Sequence, residues 1–468
     1  MIEPFVKLII ILVQVIGSIH HLILKVIHWR KKPSIPPIKN PLLKLSATTL
    51  ARKIRNGEIV VEAYIERIKE VNPFINAVIE DRFEAALKES KICDAKLKNG
   101  DLAMTAEQLE RNKPLYGVPI SIKESCAVKG MSFTCGSVYK KGTKATEDAY
   151  VVQTFKNAGA IPLLISNVPE YCLTLHTYNF LFGHTMNPYD TRKTSGGSSG
   201  GETALISSGA SVLGIGSDLI GSLRIPSFFT GIFTHKPTAG IAFRIYTYLL
   251  WLTIGPIARY VEDLYLSMKV LATSPECRLL PLFDEPVDIK NLKFYYFDSI
   301  SSIFGVSSTT SEIKKTIHKA KQYLITKGAS VEEGSGIEFT KAILGLSQYT
   351  PMRTLTQMLL DHKGFLPSSR IPYYKRARNM LKDNGILICP TWCRPASFPQ
   401  IMLWEMHCSI YTALANITST PATQIPMGFS KDGIPLGFQV MSASYQDHLC
   451  LAVAREFEKD YCGWVPPS

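Results

Sequence analysis

Apolar residues fall along this chain in two alternating patterns. Ser46 to Asn56 sets Leu50 and Ile54 one turn apart behind Ser46 or Thr48 as cap, with Gly57 following, and this predicts a short helix. Glu62 to Val71 (EAYIERIKEV) keeps helical spacing until Asn72-Pro73, where the helix is expected to stop. A third helix is predicted from about Arg82 to Lys98, and others over Ala149 to Ala158 and Gly201 to Ser208. Between them lie short unbroken apolar runs, Tyr116 to Ile122 (YGVPISI), Ala160 to Ser166 (AIPLLIS) and Val212 to Gly216 (VLGIG). These are too short for helices and predict buried strands. Near the end, Gly433 to Met441 (GIPLGFQVM) predicts a strand and Asp447 to Glu458 a helix. Strands alternating with helices predict an α/β fold with a sheet covered on both faces. Residues 273 to 385 have helical periodicity and no motif, and no internal repeat is visible.

The N-terminus follows neither pattern. Phe5 to Ile27 (FVKLIIILVQVIGSIHHLILKVI) is apolar apart from Lys7, Gln14, Ser18, His20, His21 and Lys25. As a helix rising 1.5 Å per residue it is long enough to cross a hydrocarbon core of ~30 Å. The lysines can snorkel, whereas the histidine pair is costly at depth. The leading expectation is a single-pass membrane anchor over residues 1–32, a linker over 33–45 opening on Pro33-Ser34-Ile35-Pro36-Pro37, and a main body over 46–468. A flat interfacial helix and a cleaved signal peptide are the alternatives; Glu3 and the lack of a small-x-small cleavage site speak against the latter. Arg30, Lys31 and Lys32 follow the run and favour a cytosolic body on an intracellular membrane.

Composition narrows the classes further. Apolar residues are 46% and charged residues 19% of the 468, which excludes a disordered chain. Lys+Arg 52 against Asp+Glu 39 gives 52 − 39 = +13, a balance that suits anionic lipid. The longest basic cluster is Arg30-Lys31-Lys32 and no nucleic-acid module signature is present, so no nucleic-acid partner is expected. The ten cysteines include no CxxC pair and the ten histidines no HExxH, so reduced cysteines, no metal and no cofactor are expected.

Candidate chemistry concentrates in Thr194 to Glu202, TSGGSSGGE. A flexible linker is a poor reading, because apolar α/β sequence continues on both sides. A P-loop fails, because no Lys-Ser/Thr follows the last glycine. Gly196 to Gly200 also matches GxSxG, but a nucleophile elbow needs a strand just before it, and the preceding NPYDTRKT reads as a loop. A tight loop leading into a helix fits best, with bare backbone N–H groups and hydroxyls at the helix start.

Two further segments complete a recognisable set: Pro114 to Glu124 (PLYGVPISIKE) and Gly216 to Pro226 (GSDLIGSLRIP). With TSGGSSGGE they resemble the three core motifs of the amidase signature family. Gly159 to Glu170 (GAIPLLISNVPE), Gly183 to Tyr189 (GHTMNPY), Gly255 to Leu264 (GPIARYVEDL) and Gly433 to Gln439 (GIPLGFQ) match further family segments, so the resemblance covers most of 46–272 and 384–464. With the apolar N-terminus and Gly463-Trp464 near the end, the chain is most similar to the membrane-bound fatty acid amide hydrolases of that family, the type-2 branch in particular. The resemblance implies an amidase-signature fold, one large domain on a mixed sheet. It also implies hydrolysis of a carbon–nitrogen amide bond by a Ser-Ser-Lys triad, with a lipid amide as substrate and no cofactor or metal; a homodimer is a further possibility.

By motif position the lysine is Lys123, the bridging serine Ser198 and the nucleophile Ser222, spaced 198 − 123 = 75 and 222 − 198 = 24. These residue types suit the chemistry. An amide carbonyl is a poor electrophile, so the attacking hydroxyl needs an adjacent base. A lysine serves only when neutral, which burial favours, and an apolar run surrounds Lys123. Ser198 would relay the proton and return it to the departing amine. Backbone N–H groups around Leu219, Ile220 and Gly221 would form the oxyanion hole, supported by Ser199, Asp218 and Arg224. One departure stands out: the family has Gly-Gly-Ser where this chain has Ile220-Gly221-Ser222. A β-branched residue at positive φ would be a severe outlier. The segments 240–255 and 335–375 also look shorter than in relatives. The alternatives are a weakly active or non-catalytic member acting by binding, and an amidotransferase subunit of the same family.

Overall fold

The computed structural model describes residues 2–30, 34–57, 60–100, 104–241, 252–272, 281–300, 307–334, 379–461 and 463–467. Helix α1 (Ile2–Ile27) precedes α2 (Ala47–Arg55), α3 (Val61–Ile75), β1 (Val78–Asp81), α4 (Phe83–Lys98) and α5 (Ala106–Asn112). Then come β2 (Pro119–Lys123), α6 (Tyr150–Asn157), β3 (Ile161–Ser166) and four short strands, β4 (Tyr178–Asn179), β5 (Gly183–His184), β6 (Met186–Asn187) and β7 (Asp190–Thr194). The middle of the chain holds α7 (Gly200–Ser207), β8 (Leu213–Asp218), α8 (Arg224–Phe229), β9 (Phe233–Lys236), β10 (Thr253–Ala258) and α9 (Val261–Leu271). It ends with β11 (Lys293–Tyr296), α10 (Ser311–Thr326), β12 (Ser330–Glu333), β13 (Gly385–Cys389), α11 (Met402–Glu405), α12 (Ile410–Ile417), β14 (Ala422–Phe429), β15 (Pro435–Met441) and α13 (Asp447–Tyr461).

The expected mixed sheet is present. Among the described residues it has eleven strands in the order β1-β3-β2-β8-β10-β9-β14-β15-β13-β11-β12. Parallel neighbours β3-β2-β8 form one part and β13-β11-β12 another, joined by antiparallel strands between. Every residue of β2, β3 and β8 is buried. That is why these strands read as continuous apolar runs and not as alternating ones. Gly214 and Gly216 of β8 let α7 sit close. A Cβ at Gly214 would lie 2.1 Å from Glu202 Oε2, and one at Gly216 2.8 Å from Ser199 Oγ.

Several expectations are corrected. Helix α3 runs past Asn72-Pro73 to Ile75, because Asn72 takes over the exit: its carbonyl accepts Asn76 N–H and its side chain accepts from Ala77 N at 2.8 Å. Proline costs the helix a donor there but does not end it. The stretch read as a loop before TSGGSSGGE contains β7, paired with β6. The motif-free part holds strands β11 and β12 as well as α10, while segment 335–375 and most of 240–255 lie outside the described residues, as do Lys31, Lys32 and Pro33.

The N-terminal apolar run is helical, and its C-terminal half is seated on the body. Gly17, His20, His21, Leu24 and His28 form the seated face. Trp404 Nε1 donates to His20 Nδ1 at 3.2 Å, His28 stacks on Phe398 at 5.3 Å, and Leu24 is buried against Phe398 and Ile401. A Cβ on Gly17 would lie 3.1 Å from Trp404 Cβ. Val15, Ile16, Ile19, Leu22, Ile23, Val26 and Ile27 face outward, exposed. Among the described residues no helix is long and apolar enough to cross a membrane.

Candidate active site

Lys123 closes β2, and because the sheet is covered on both faces its side chain is 0% exposed. Its Nζ donates to Ser198 Oγ at 2.8 Å and Ser217 Oγ at 2.9 Å, with Ser217 O at 3.4 Å. The lysine is thus held at both hydroxyls in a layer closed to water. The next residue, Glu124, fastens the chain after β2: its carboxylate accepts from the Thr134 hydroxyl at 2.9 Å and from Cys135 N at 2.9 Å, as well as from Thr134 N. Burial pushes the Glu124 carboxyl up against the pull of those bonds.

Ser198 follows a cis peptide bond from Gly197, two residues before α7 begins. Ser199 couples the two serine loops. Its N–H donates to Ser222 O at 3.2 Å and its hydroxyl to Ser217 O at 3.3 Å. The structure therefore brings Lys123, Ser198 and Ser222 into one neighbourhood. The Lys123–Ser198 contact is made, whereas among the described residues no hydrogen bond joins the hydroxyls of Ser198 and Ser222. Ser222 is the more accessible serine, 5% exposed against 1% for Ser198.

The loop from Asp218 to Arg224 corrects the oxyanion assignment. Gly221, not Ile220, carries the glycine conformation, at φ +123°. Among the described residues the non-glycine positions with positive φ are Asn76, Cys135, Tyr171, Cys172, Asp383, Asn384, Ser419 and Tyr445, so Ile220 escapes the expected strain. The Gly221 N–H is also committed. It donates to Asp218 Oδ1 at 2.6 Å, leaving Leu219, Ile220 and Ser222 as the candidate donors. Asp218 further accepts from Leu223 N at 3.2 Å and pairs with Arg224, at 3.1 Å from Nε and 3.2 Å from Nη2, with both residues fully buried. Burial alone would raise the Asp218 carboxyl, but the Arg224 charge and hydrogen bonds, with Lys236 behind, hold it down to about 2. Asp218 and Arg224, expected as supports, thus pair with each other beside Ser222.

Five residues with roles at the site escaped the sequence reading. Ser217, inside the GSD segment, holds Lys123. Glu202, the last residue of TSGGSSGGE, is fully buried. Its Oε2 accepts from Ser121 Oγ at 2.6 Å. Burial raises this carboxyl to about 7, opposed by the Ser121 and Ser166 hydroxyls and the charge of Lys123. Gln439 and Asn416 complete the coordination of Arg224, each at 2.7 Å, and Thr412 donates directly to Ile220 O. Gln439 lies in a quoted segment, whereas Thr412 and Asn416 sit on α12 without any motif. Among the described residues no group of three or more His, Cys, Asp or Glu is arranged to hold a metal ion.

Comparison with known proteins bears on the family. The family model described as Amidase matches residues 59–347 and 282–451. Fatty-acid amide hydrolase 2-B of Danio rerio is 36% identical over 94% of this chain and 94% of its own length. A glutamyl-tRNA(Gln) amidotransferase chain of Alkaliphilus metalliredigens (strain QYMF) is 30% identical over 86% of this chain and 92% of its own length. A solved fatty acid amide hydrolase superposes with a TM-score of 0.72 over 90% of this chain and 85% of its own, at 21% identity, a likeness of fold alone. A family match across nearly the whole body, over a site built from that family's motifs, leads to one conclusion: this chain belongs to the amidase signature family and is an amide hydrolase.

Proposed function

We propose that the chain hydrolyses fatty acid amides through Ser222, Ser198 and Lys123. The observation that carries this is the buried hydrogen bond from Lys123 Nζ to Ser198 Oγ at 2.8 Å, one hydroxyl behind the more accessible Ser222. In the neutral form, Lys123 takes the Ser198 proton as Ser198 takes that of Ser222, and Ser222 Oγ attacks the amide carbon. The Ser198–Ser222 contact tightens when substrate arrives, as catalytic hydrogen bonds commonly do. N–H groups of Leu219, Ile220 and Ser222 stabilise the oxyanion. The proton then returns along the same route to the leaving nitrogen, because an amide anion cannot depart. Water repeats the sequence to free the fatty acid from the acyl-enzyme. A fluorophosphonate probe tests the assignment: it should label the wild-type protein at Ser222 and leave Ser222→Ala unlabelled. Labelling that maps to Ser198 or Ser199 would overturn it.

The lipid amide substrate is supported by the higher identity to a fatty-acid amide hydrolase than to a tRNA amidotransferase chain, and by α1. We read α1 as the membrane attachment of the protein. Its exposed side carries Leu12, Val15, Ile16, Ile19, Leu22, Ile23, Val26 and Ile27, with Ser18 and Lys25 among them, and Arg30 follows it. With the face from Gly17 to His28 on the body, Ile2–Ile16 reaches about 22 Å at 1.5 Å per residue, against a hydrocarbon core of ~30 Å. That favours a helix lying in the membrane surface over the single pass. It also gives His20 and His21 protein neighbours in place of lipid. The same reading includes an intracellular membrane and a homodimer, which light scattering of the detergent-solubilised protein reads directly. The non-catalytic alternative was motivated by Ile220, and the absence of Ile220 from the positive-φ residues weighs against that motive.

A further inference from the structure

We propose that Thr412, with Asn416 one turn further along α12, is a positioning residue that aims the oxyanion N–H groups beside Ser222. This rests on the reading of Ser222 as nucleophile. The Thr412 hydroxyl donates to Ile220 O at 2.5 Å, and Asn416 Nδ2 donates to Asp218 O at 3.1 Å. Both bonds therefore pull carbonyls of the loop toward one helix. A trans peptide is planar, with its C=O and N–H opposed. Drawing Asp218 O toward α12 sends the Leu219 N–H away from α12. The next-but-one peptide is held at both ends, its C=O by Thr412 and its N–H, that of Gly221, by Asp218 Oδ1 at 2.6 Å. The Leu219–Ile220 peptide lies between these two fixed planes, so the direction of the Ile220 N–H follows from them. Beyond it, Ile225 N takes Gly221 O at 2.8 Å and so turns the Ser222 N–H the other way.

The contact is close as well as polar. A Cβ on Gly221 would lie 2.2 Å from Thr412 Oγ1 and 2.7 Å from Thr412 Cβ, so the loop has no room to swing past the hydroxyl. Thr412 has a local alternative, since Ser409 O lies 3.0 Å away on its own helix. One hydroxyl proton serves one acceptor fully, and the shorter distance goes to Ile220. Asn416 is itself fixed by Arg224 Nη2 at 2.7 Å, which ties the grip of α12 to the Asp218–Arg224 pair under the loop. The position where this chain departs from its family, Ile220, is thus the one whose carbonyl Thr412 holds.

The test is Thr412→Val, which keeps the shape and removes the hydroxyl, beside Thr412→Ser, which keeps the hydroxyl. Losing an oxyanion donor outright costs roughly 10²–10³ in kcat. A donor that is misaimed and not removed should cost about 10–100-fold. We expect Thr412→Val to lose that factor in kcat for a long-chain amide and in the rate of fluorophosphonate labelling, with KM within about twofold. Thr412→Ser should recover most of it. Amide hydrogen exchange over residues 218–223 should quicken in Thr412→Val and return in Thr412→Ser, a readout independent of turnover. Unchanged exchange and unchanged kcat in Thr412→Val would overturn the proposal, as would equal damage in both variants, which marks packing and not the hydroxyl. A wild-type protein that never labels at Ser222 would sink the nucleophile assignment, and faster exchange in Thr412→Val would then still support the grip of α12 on the loop.

Discussion

Exchanging the two residues before Ser222 one at a time separates conformational need from sequence resemblance. The family pattern suggests that Ile220→Gly repairs the site, whereas the backbone says the opposite. Gly221 holds φ +123°, a value that costs a side-chain-bearing residue about 1–3 kcal/mol. A Cβ there would also meet Thr412 Oγ1 at 2.2 Å and Ile225 Cδ1 at 2.8 Å, so Gly221→Ala must displace the loop. The donors beside Ser222 move with it, and kcat should fall by roughly 10²–10³. Ile220 needs no such conformation. Removing its half-buried side chain forfeits about 1 kcal/mol of apolar burial, and the new glycine adds about 0.5–1 kcal/mol of backbone entropy. With an unfolding entropy of about 2.1 cal/mol/K per residue, a chain of 468 has a slope near ~1 kcal/mol per degree, so Tm should drop by about 2 °C. Catalysis should stay within about twofold of wild type. Steady-state kinetics on one amide substrate, with thermal unfolding of the same preparations, measures both. An Ile220→Gly enzyme with kcat raised about fivefold or more at constant KM would refute the reasoning, because it would mean that isoleucine does impair the oxyanion loop.

Three other outcomes follow from the same geometry. Lys123→Ala should slow amide hydrolysis by several orders of magnitude and ester hydrolysis less, since an alkoxide needs less protonation than an amine on leaving; equal losses on a matched pair of substrates would count against the relay. Glu202 should make stability fall as pH rises. Its folded value near 7 lies above the ordinary 4.5, so the native state binds the extra proton; the stabilisation is full below about pH 4.5 and is lost as pH passes 7, by roughly 3 kcal/mol. Denaturant unfolding at pH 5 and pH 7.5 should show Glu202→Gln with a flatter dependence than wild type, and identical slopes would show that this carboxyl is ionised throughout. Deleting residues 1–32 should move the protein from the membrane pellet to the supernatant. In the full chain, a tag at the N-terminus should be digested from the same side of a vesicle as one at the C-terminus; protection of one tag alone would restore the single pass.

What the sequence disclosed of this molecule depends on whether a feature is written in neighbouring residues or created by distant ones. Lys123, Ser198, Ser222, Asp218 and Arg224 could be grouped as candidates because the segments that carry them meet by close approach of backbone. That demands glycines and hydroxyls at fixed offsets, as in TSGGSSGGE and GSDLIGS. The buried strands β2, β3 and β8 were legible for a related reason: a sheet covered on both faces tolerates only apolar runs there. Thr412 and Asn416 were not legible. On α12 they read as a turn-spaced polar pair in an apolar helix, and only the fold brings them to Ile220 O and Asp218 O, 192 and 198 residues away in sequence. The error over Ile220 has the same origin. Similarity of motif transfers residue types, but φ is set by what each residue's carbonyl and N–H must reach. Here Thr412 and Asp218 place the demand for glycine on Gly221. The N-terminal run repeats the lesson. Its hydropathy suggests a span, yet His20, His21 and His28, which are costly in a bilayer, find Trp404 and Phe398 on the body. Polar interruptions in an apolar helix can therefore mark a face that docks on protein: His20, His21 and Leu24 follow Gly17 by three, four and seven residues, the spacing of one helix face.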